Sequence, residues 1–279
     1  MKYRLLFLVL LSIPGSYSAG QQADASPPGD PAPDVAGSCE QLVSQEPGHD
    51  LLLKLCEFAR NYRRQLPDFI AQQTITAHDV TSSTVLTEQV VFRHGRESYL
   101  LLTINGKPVA PNEPWPDKVR FITAGEFGSL LVNLFLVPGA TEFKLRRTAM
   151  LRDVRVTVYE FHVPEKKNSF WTLSDREGFT LNPELRGELW LDEATGHPLR
   201  EQMETVRLPN DWPAKSFQTI TDYAMTPLGE VGTYLLPVNS ETTICLRNVR
   251  YSCTSNTLVF HDYRKFGTST RVVEATEEP

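Results

Sequence analysis

Gly187-Glu-Leu-Trp-Leu-Asp-Glu-Ala-Thr-Gly-His-Pro-Leu-Arg200 reads as strand, tight turn, strand. Leu189 and Leu191 alternate with Glu188, Trp190 and Asp192, the period of a strand with one apolar and one polar face. Asp192 to Gly196 supplies turn chemistry, and Pro198 opens the returning strand. This register predicts Leu189 and Leu191 facing inward, Glu188 facing outward, and a positive φ at Gly196. Trp190 is expected in the core or against a helix. Asp192 and Glu193 are adjacent at a strand end and point to opposite faces, so they do not converge as an acid and base pair.

Working outward, the same alternation repeats along the chain. Strands are predicted over Phe69 to His78, Val85 to His94, Ser98 to Ile104, Thr141 to Leu151, Val154 to Val163, Ser169 to Ser174, Leu185 to Asp192, Leu199 to Leu208, Phe217 to Met225, Gly232 to Leu236, Val238 to Leu246 and Asn256 to Tyr263. Gly95 and Asn105-Gly106 mark hairpin turns, Asp175 to Gly178 is a charged turn, and Asn112 to Lys118 is a loop rich in proline. One long helix is expected at Asp50 to Gln65, where Leu51, Leu52, Leu55, Phe58, Ala59 and Tyr62 fall at three and four spacing. Asp50 is its expected N-cap, and Pro67 ends it. No βαβ alternation and no internal repeat occurs. The fold class is therefore mainly β with few helices (α+β). So many successive strands must curl. The expected shape is a curved antiparallel sheet forming an unclosed barrel, with helices on its concave side.

The first residues set the destination. Lys2 and Arg4 precede an apolar run, Leu5 to Ile13, which Pro14-Gly15 breaks ahead of the small residues Ser16 and Ser18. This is the pattern of a secretory signal peptide over residues 1–18, too short for a stable membrane span; a retained membrane anchor is the alternative. Residues 19–38 form a leader rich in proline with too little apolar content to fold. Residues 39–279 are expected as a single β-rich half-barrel domain, with no integral membrane segment in the mature chain. The localisation expected is periplasmic or secreted.

Composition excludes several classes. The chain has 28 Lys and Arg against 34 Asp and Glu, and losing Lys2 and Arg4 makes the balance more acidic still. No basic stripe exists to displace counterions, so nucleic acid is excluded as a partner. Arg146-Arg147 and Lys166-Lys167 are expected as solvated loop or strand-end residues. No Gly-x-Ser-x-Gly, His-Glu-x-x-His or Gly-x-Gly-x-x-Gly occurs, and the six histidines have no ligand spacing. No catalytic residue, metal site or cofactor is expected. Four cysteines in an exported chain pair as disulfides. Three connectivities exist; local pairing, Cys39 with Cys56 and Cys245 with Cys253, is the economical one.

One segment stands apart. Phe127-Gly-Ser-Leu-Leu-Val-Asn-Leu-Phe-Leu-Val137 is apolar all round if helical. Phe127, Leu130, Leu131, Leu134 and Phe135 make one stripe; Val132 and Leu136 make the other side apolar too. Such a helix is either a plug on the sheet's concave face or the wall of a hydrophobic cavity. In the second case Phe127, Leu130, Leu131, Leu134 and Phe135 share a ligand pocket with Tyr159, Phe161, Leu189 and Leu191.

Three stretches carry a family likeness: Phe58 to Ile70, an opening helix running into the first strand; Gly187 to Arg200; and Leu235 to Val238 followed by Phe260 to Phe266. In these the chain resembles the LolA/LolB-like periplasmic lipoprotein-carrier superfamily, in a divergent branch of secreted bacterial proteins, over most of its length from about Cys56. The resemblance implies an unclosed barrel cupping helices around an apolar cavity. It implies non-catalytic holding of a lipid, acyl chain or lipoprotein. A cell-envelope protein-protein interaction scaffold on the same fold, with no small-molecule ligand, is the alternative. The four cysteines and the acidic balance depart from the superfamily's pattern, and none of its ligand-release residues maps onto a position here.

Overall fold

The computed structural model describes residues 7–11, 39, 49–79, 82–110, 116, 119, 121–127, 129–136, 140–168, 171–175, 179–247 and 253–266. The proline-rich leader, most of the Asn112 to Lys118 loop, the tip of the Asp175 to Gly178 turn and Asn248 to Arg250 lie outside the described residues.

In chain order the elements are β1 (Phe7–Leu11), α1 (His49–Gln65), β2 (Phe69–His78), β3 (Ser83–Arg93), β4 (Arg96–Ile104), β5 (Lys107–Pro108) and β6 (Phe121–Thr123). Then come α2 (Ser129–Leu136), β7 (Glu142–Leu151), β8 (Val154–Val163), β9 (Trp171–Ser174), β10 (Thr180–Leu181) and β11 (Glu184–Asp192). The last are β12 (Pro198–Arg207), β13 (Ala214–Pro227), β14 (Thr233–Leu246) and β15 (Cys253–Lys265). Eleven strands form one sheet in the order β5-β4-β3-β2-β15-β14-β13-β12-β11-β8-β7, with every neighbouring pair antiparallel. The outer edges of β5 and β7 do not meet, so the barrel is unclosed.

Turn chemistry fixes the register. His94-Gly95 and Asn105-Gly106 both have positive φ at two successive residues, the conformation of a type I′ hairpin. Arg152-Asp153 turns β7 into β8 the same way without a glycine. At the decisive hairpin Gly196 has φ 76° and its N–H donates to the Asp192 carbonyl at 2.8 Å. Asp192 also accepts from the Ala194 amide and the Thr195 hydroxyl, so its side chain is spent on the turn. Leu189 and Leu191 are fully buried, and Glu188 is turned outward, as the alternation requires.

Several expectations are corrected. Asp50 lies in the first turn of α1, which begins at His49, and is not the N-cap. The two strands expected on either side of Pro237 are one strand, β14. Pro237 is tolerated because the β14–β15 pairing runs only from Asn239 to Cys245 and because β14 itself bulges at Val238, directly after the proline. Arg146 and Arg147 stand inside β7, not at its end. A bulge between Leu145 and Arg147 accompanies the run, and the two bind Glu160 and Glu188. Trp190 leaves the core: it stands on the outer face with its indole N–H donating to Glu188 and Arg147 and Arg200 over its ring. β1, β5, β6 and β10 had no alternation long enough to read.

The second sheet is small, in the order β10-β9-β1-β6, and its β1–β6 pair is parallel. It sits on the inner face of the large sheet: Trp171 and Phe121 pack on Phe217 of β13, and the Asn256 amide donates to the Phe121 carbonyl at 2.6 Å. Phe7–Leu11, the described part of the apolar run read as a secretory leader, is thus a strand. Both helices join the same buried cluster. α1 lies on the interior through Leu52, Leu55, Ala59 and Tyr62, with the Tyr62 hydroxyl donating to the Leu235 carbonyl of β14. α2 packs against α1.

Candidate functional site

The interior of the unclosed barrel brings the expected ligand residues into one cluster. Phe127, Leu131, Leu134, Phe135, Tyr159, Phe161, Leu189 and Leu191 are all buried members of it. Leu130 lies in α2, with its side chain outside the described ones. Phe127 meets Phe69, Phe260 and Tyr263 edge-on or tilted, and Phe135 stacks on Phe143 of β7. The two groups therefore divide. Phe127 reaches the β2–β15 side of the sheet, and Phe135 the β7–β8 side. On the latter, cross-strand register aligns Tyr159 with Leu189, and Phe161 with Gly187. The Thr141 hydroxyl donates to the Leu134 carbonyl at 2.7 Å and closes the C-terminal end of α2. Phe161 also borders a surface recess of about 470 Å³, lined besides by Glu142, Phe143, Lys144, Glu160 and His162.

The interior is not uniformly apolar. A band of small hydroxyls crosses the middle of the sheet. Thr221 pairs with Ser240 at 3.1 Å, and Thr242 donates to Thr219 at 3.0 Å, all four buried. In register with Thr221 stands Glu201 of β12, 1 % exposed, with neither carboxyl oxygen meeting a hydrogen-bond partner. The Tyr223 hydroxyl lies near enough to lower its pKa without reaching hydrogen-bond geometry; burial outweighs this and pushes Glu201 up to about 8. Glu88 of β3 is buried beside Gln73 of β2, whose amide donates to it. Burial drives Glu88 up to about 7 against that hydrogen bond, with Glu126 adding to the rise. Glu126, just before α2, is raised to about 7 by burial first and by the charge of Glu97 second. Oε2 of Glu126 and Oε1 of Gln73 meet no partner.

Glu97 sits at the rim, where it accepts from the Gly125 amide at 3.0 Å and from the Tyr99 hydroxyl. Tyr62, Tyr223 and Tyr263 surround the same region and all three are raised by burial first; Glu97 adds to Tyr62, Glu201 to Tyr223, and Tyr62 then Glu126 to Tyr263. Near neutral pH these buried carboxyls carry much of their protonation. Each is then a donor and an acceptor in an apolar interior, able to meet a polar or cationic group that has an apolar body attached.

No motif in the sequence marks this acidic set. The signal was present for part of it. Glu88 falls in phase with Leu86, Val90 and Phe92, and Glu201 in phase with Met203, so the strand period alone points them inward. Glu126 had no such signal, since it lies on a turn whose position only the packing sets. Among the described residues no three His, Cys, Asp or Glu side chains gather as a metal site. His162 is the histidine with the most charged surroundings. It contacts Glu184 at 2.7 Å and Glu142 at 3.3 Å on the outer surface, which raises its pKa.

No family model and no curated protein matches this sequence. Among solved structures the chain is similar to a LolA superfamily protein from Nitrosomonas europaea, at 13 % identity over 77 % of this chain and 93 % of that one, TM-score 0.38. It is also similar to a DUF1329 family protein from Desulfovibrio piger, at 8 % identity over 82 % and 95 % of the two chains, TM-score 0.40. A third is an outer membrane lipoprotein-sorting protein domain from Vibrio parahaemolyticus, at 12 % identity over 76 % and 90 %, TM-score 0.38.

Proposed function

We propose that this protein is a non-catalytic binding protein of the periplasm or extracellular space, holding a hydrophobic ligand — a lipid, an acyl chain or the lipid part of a lipoprotein — inside the unclosed barrel. The observation that supports it is the composition of the interior. Apolar walls from α2, β8 and β11 surround buried carboxyls of which Glu201 and Glu126 have oxygens without partners. Such atoms are costly to bury alone and are satisfied by water or by a ligand with a donor. The ligand-contact residues proposed are Phe127, Leu130, Leu131, Leu134, Phe135, Tyr159, Phe161, Leu189 and Leu191. Export is supported by the leader pattern and by two disulfides, which persist in oxidising compartments.

A fluorescent fatty-acyl probe tests this. The full-length protein is expected to bind it with micromolar affinity, an affinity that burial of an acyl chain at about 25 cal/mol per Å² supplies. Leu134→Asp should weaken binding at least tenfold. Leu134→Ala, which enlarges the interior and is gentler on the fold, should shift preference toward longer chains. Absence of probe binding by the unaltered protein overturns the reading. The scaffold alternative then gains, resting on the open edge of β7, where Leu145 and Met150 are exposed.

A further inference from the structure

We propose that the gap between β6 and β9, filled in the full chain by Phe7–Leu11, is a binding slot for an extended, uncharged, apolar polypeptide segment once the leader has been removed. β1 is matched on both sides. Against β6 it runs parallel, Phe7 opposite Phe121, Leu8 opposite Ile122 and Val9 opposite Thr123. Against β9 it runs antiparallel, Leu8 opposite Ser174, Val9 opposite Leu173, Leu10 opposite Thr172 and Leu11 opposite Trp171. The occupant is the stretch that the sequence marks as the apolar core of a secretory leader. Cleavage after Ser18 takes it away.

The two rims are anchored without β1. The Asn256 amide holds the Phe121 carbonyl of β6 to β15. The Asn168 side chain accepts from the Trp171 amide at 3.0 Å and donates to the carbonyls of Trp171 and Pro183 at 3.1 and 2.7 Å. Phe121 and Trp171 both rest on Phe217. Loss of β1 therefore leaves two facing strand edges about 10 Å apart, twice the ordinary spacing. That is too far for them to pair and wide enough for one strand. Their backbone N–H and C=O groups need partners. An acyl chain has none to offer, whereas a polypeptide strand restores both ladders at once. Residues Phe121–Thr123 and Trp171–Ser174 carry no charge, so the fitting segment is uncharged, about five residues long, and parallel to β6.

Hydrogen exchange read by mass spectrometry tests the slot on the full chain, on its Val9→Pro variant, and on the exported chain lacking residues 1–18. Amides of 121–123 and 171–174 should be protected in the full chain and exchange at least tenfold faster in the other two, while 217–223 stay protected. A soluble peptide carrying Phe-Leu-Val-Leu-Leu between lysine pairs should restore protection at micromolar concentration. The same peptide N-methylated at alternate residues should not. Rims that stay protected without β1, equal effect of the methylated peptide, or equal effect of a fatty acid overturn the proposal. So does loss of protection at 217–223, which would make β1 a core strand. The slot is separate from the acyl site: acyl binding without peptide binding removes this inference alone, and peptide binding without acyl binding removes only the other.

Discussion

At the scale of the residue, two positions break the local pattern and both have a physical reason. Gly187 interrupts an otherwise side-chain-bearing strand because the Phe161 ring of β8 lies over it. A Cβ there would stand 2.5 Å from that ring and 2.0 Å from the Gln202 carbonyl. Neither a strand carbonyl nor a packed ring yields easily, so Gly187→Ala should destabilise by about 3 kcal/mol in urea unfolding. The second is Glu201, a carboxyl in the apolar interior. Glu88, Glu126 and Glu201 have folded pKa values of about 7, 7 and 8, above the 4.5 of a free glutamate. Below pH 4.5 both folded and unfolded chains are protonated. Between there and the folded values the unfolded chain releases protons that the folded chain keeps. Stability therefore falls as pH rises from about 5 to about 8 and levels off above. Glu188, held low by Arg147, acts in the opposite sense but is part-exposed. Urea midpoints at pH 5 and pH 8 should differ in that direction. Glu201→Gln should reduce the difference by roughly 2–5 kcal/mol of its total, the equivalent of a shift of this size. A midpoint higher at pH 8 would refute the burial of these groups.

At the scale of the element, periodicity was enough where the chain alternates and failed where it does not. The strands between Phe69 and Arg93 were legible because one face is core and the other is not. Pro237 misled because a proline inside a strand is usually a break. It escapes here through a bulge at Val238 and the end of the β15 ladder, both of which exist only in the pairing of β14 with its neighbours. α2 is buried throughout Leu131–Phe135, including Asn133, as an all-apolar helix demands. The disulfides follow local spacing: Cys39 joins Cys56 across 17 residues, and Cys245 joins Cys253, its directly opposed partner in the β14–β15 pair. Non-reducing peptide mapping should recover both. Replacing Cys245 and Cys253 together by serine should lower unfolding stability by about 2.5 kcal/mol, the loop-closure value for so short a loop.

At the scale of the whole molecule, the decisive property is that the sheet curls without closing. β15, β14, β13 and β12 lie in its middle, paired on both sides, while β7 and β5 each keep one free edge. β7 carries Lys144, Arg146 and Arg147 along this edge, with Arg146 and Arg147 paired to Glu160 and Glu188, so that a partner strand there must accommodate a charged rim. Hydrogen exchange of the full chain should grade accordingly, with the amides of β13–β15 slowest and those of β7, β4 and β5 faster by a hundredfold or more. Uniform protection across all eleven strands would mean a sheet closed in solution.

The sequence alone determined the longer strands of the large sheet, the long helix, the disulfide spacing and the leader pattern. Each is written in a window of a few to twenty residues by period, turn chemistry or composition. It also determined the inward face at Leu189 and Leu191, because a strand's two faces differ only by parity. Tertiary structure alone decided which charges are buried together. Glu88, Glu126 and Glu201 come from a strand, a turn and another strand far apart in the chain, and their shared interior exists only once the sheet has curled. The slot between β6 and β9 is of the same kind. Its rims are two short strands, of which β6 has no periodic signal, joined through an apolar segment more than a hundred residues before the first of them. Local propensity has no means of specifying such a meeting; packing and backbone pairing do.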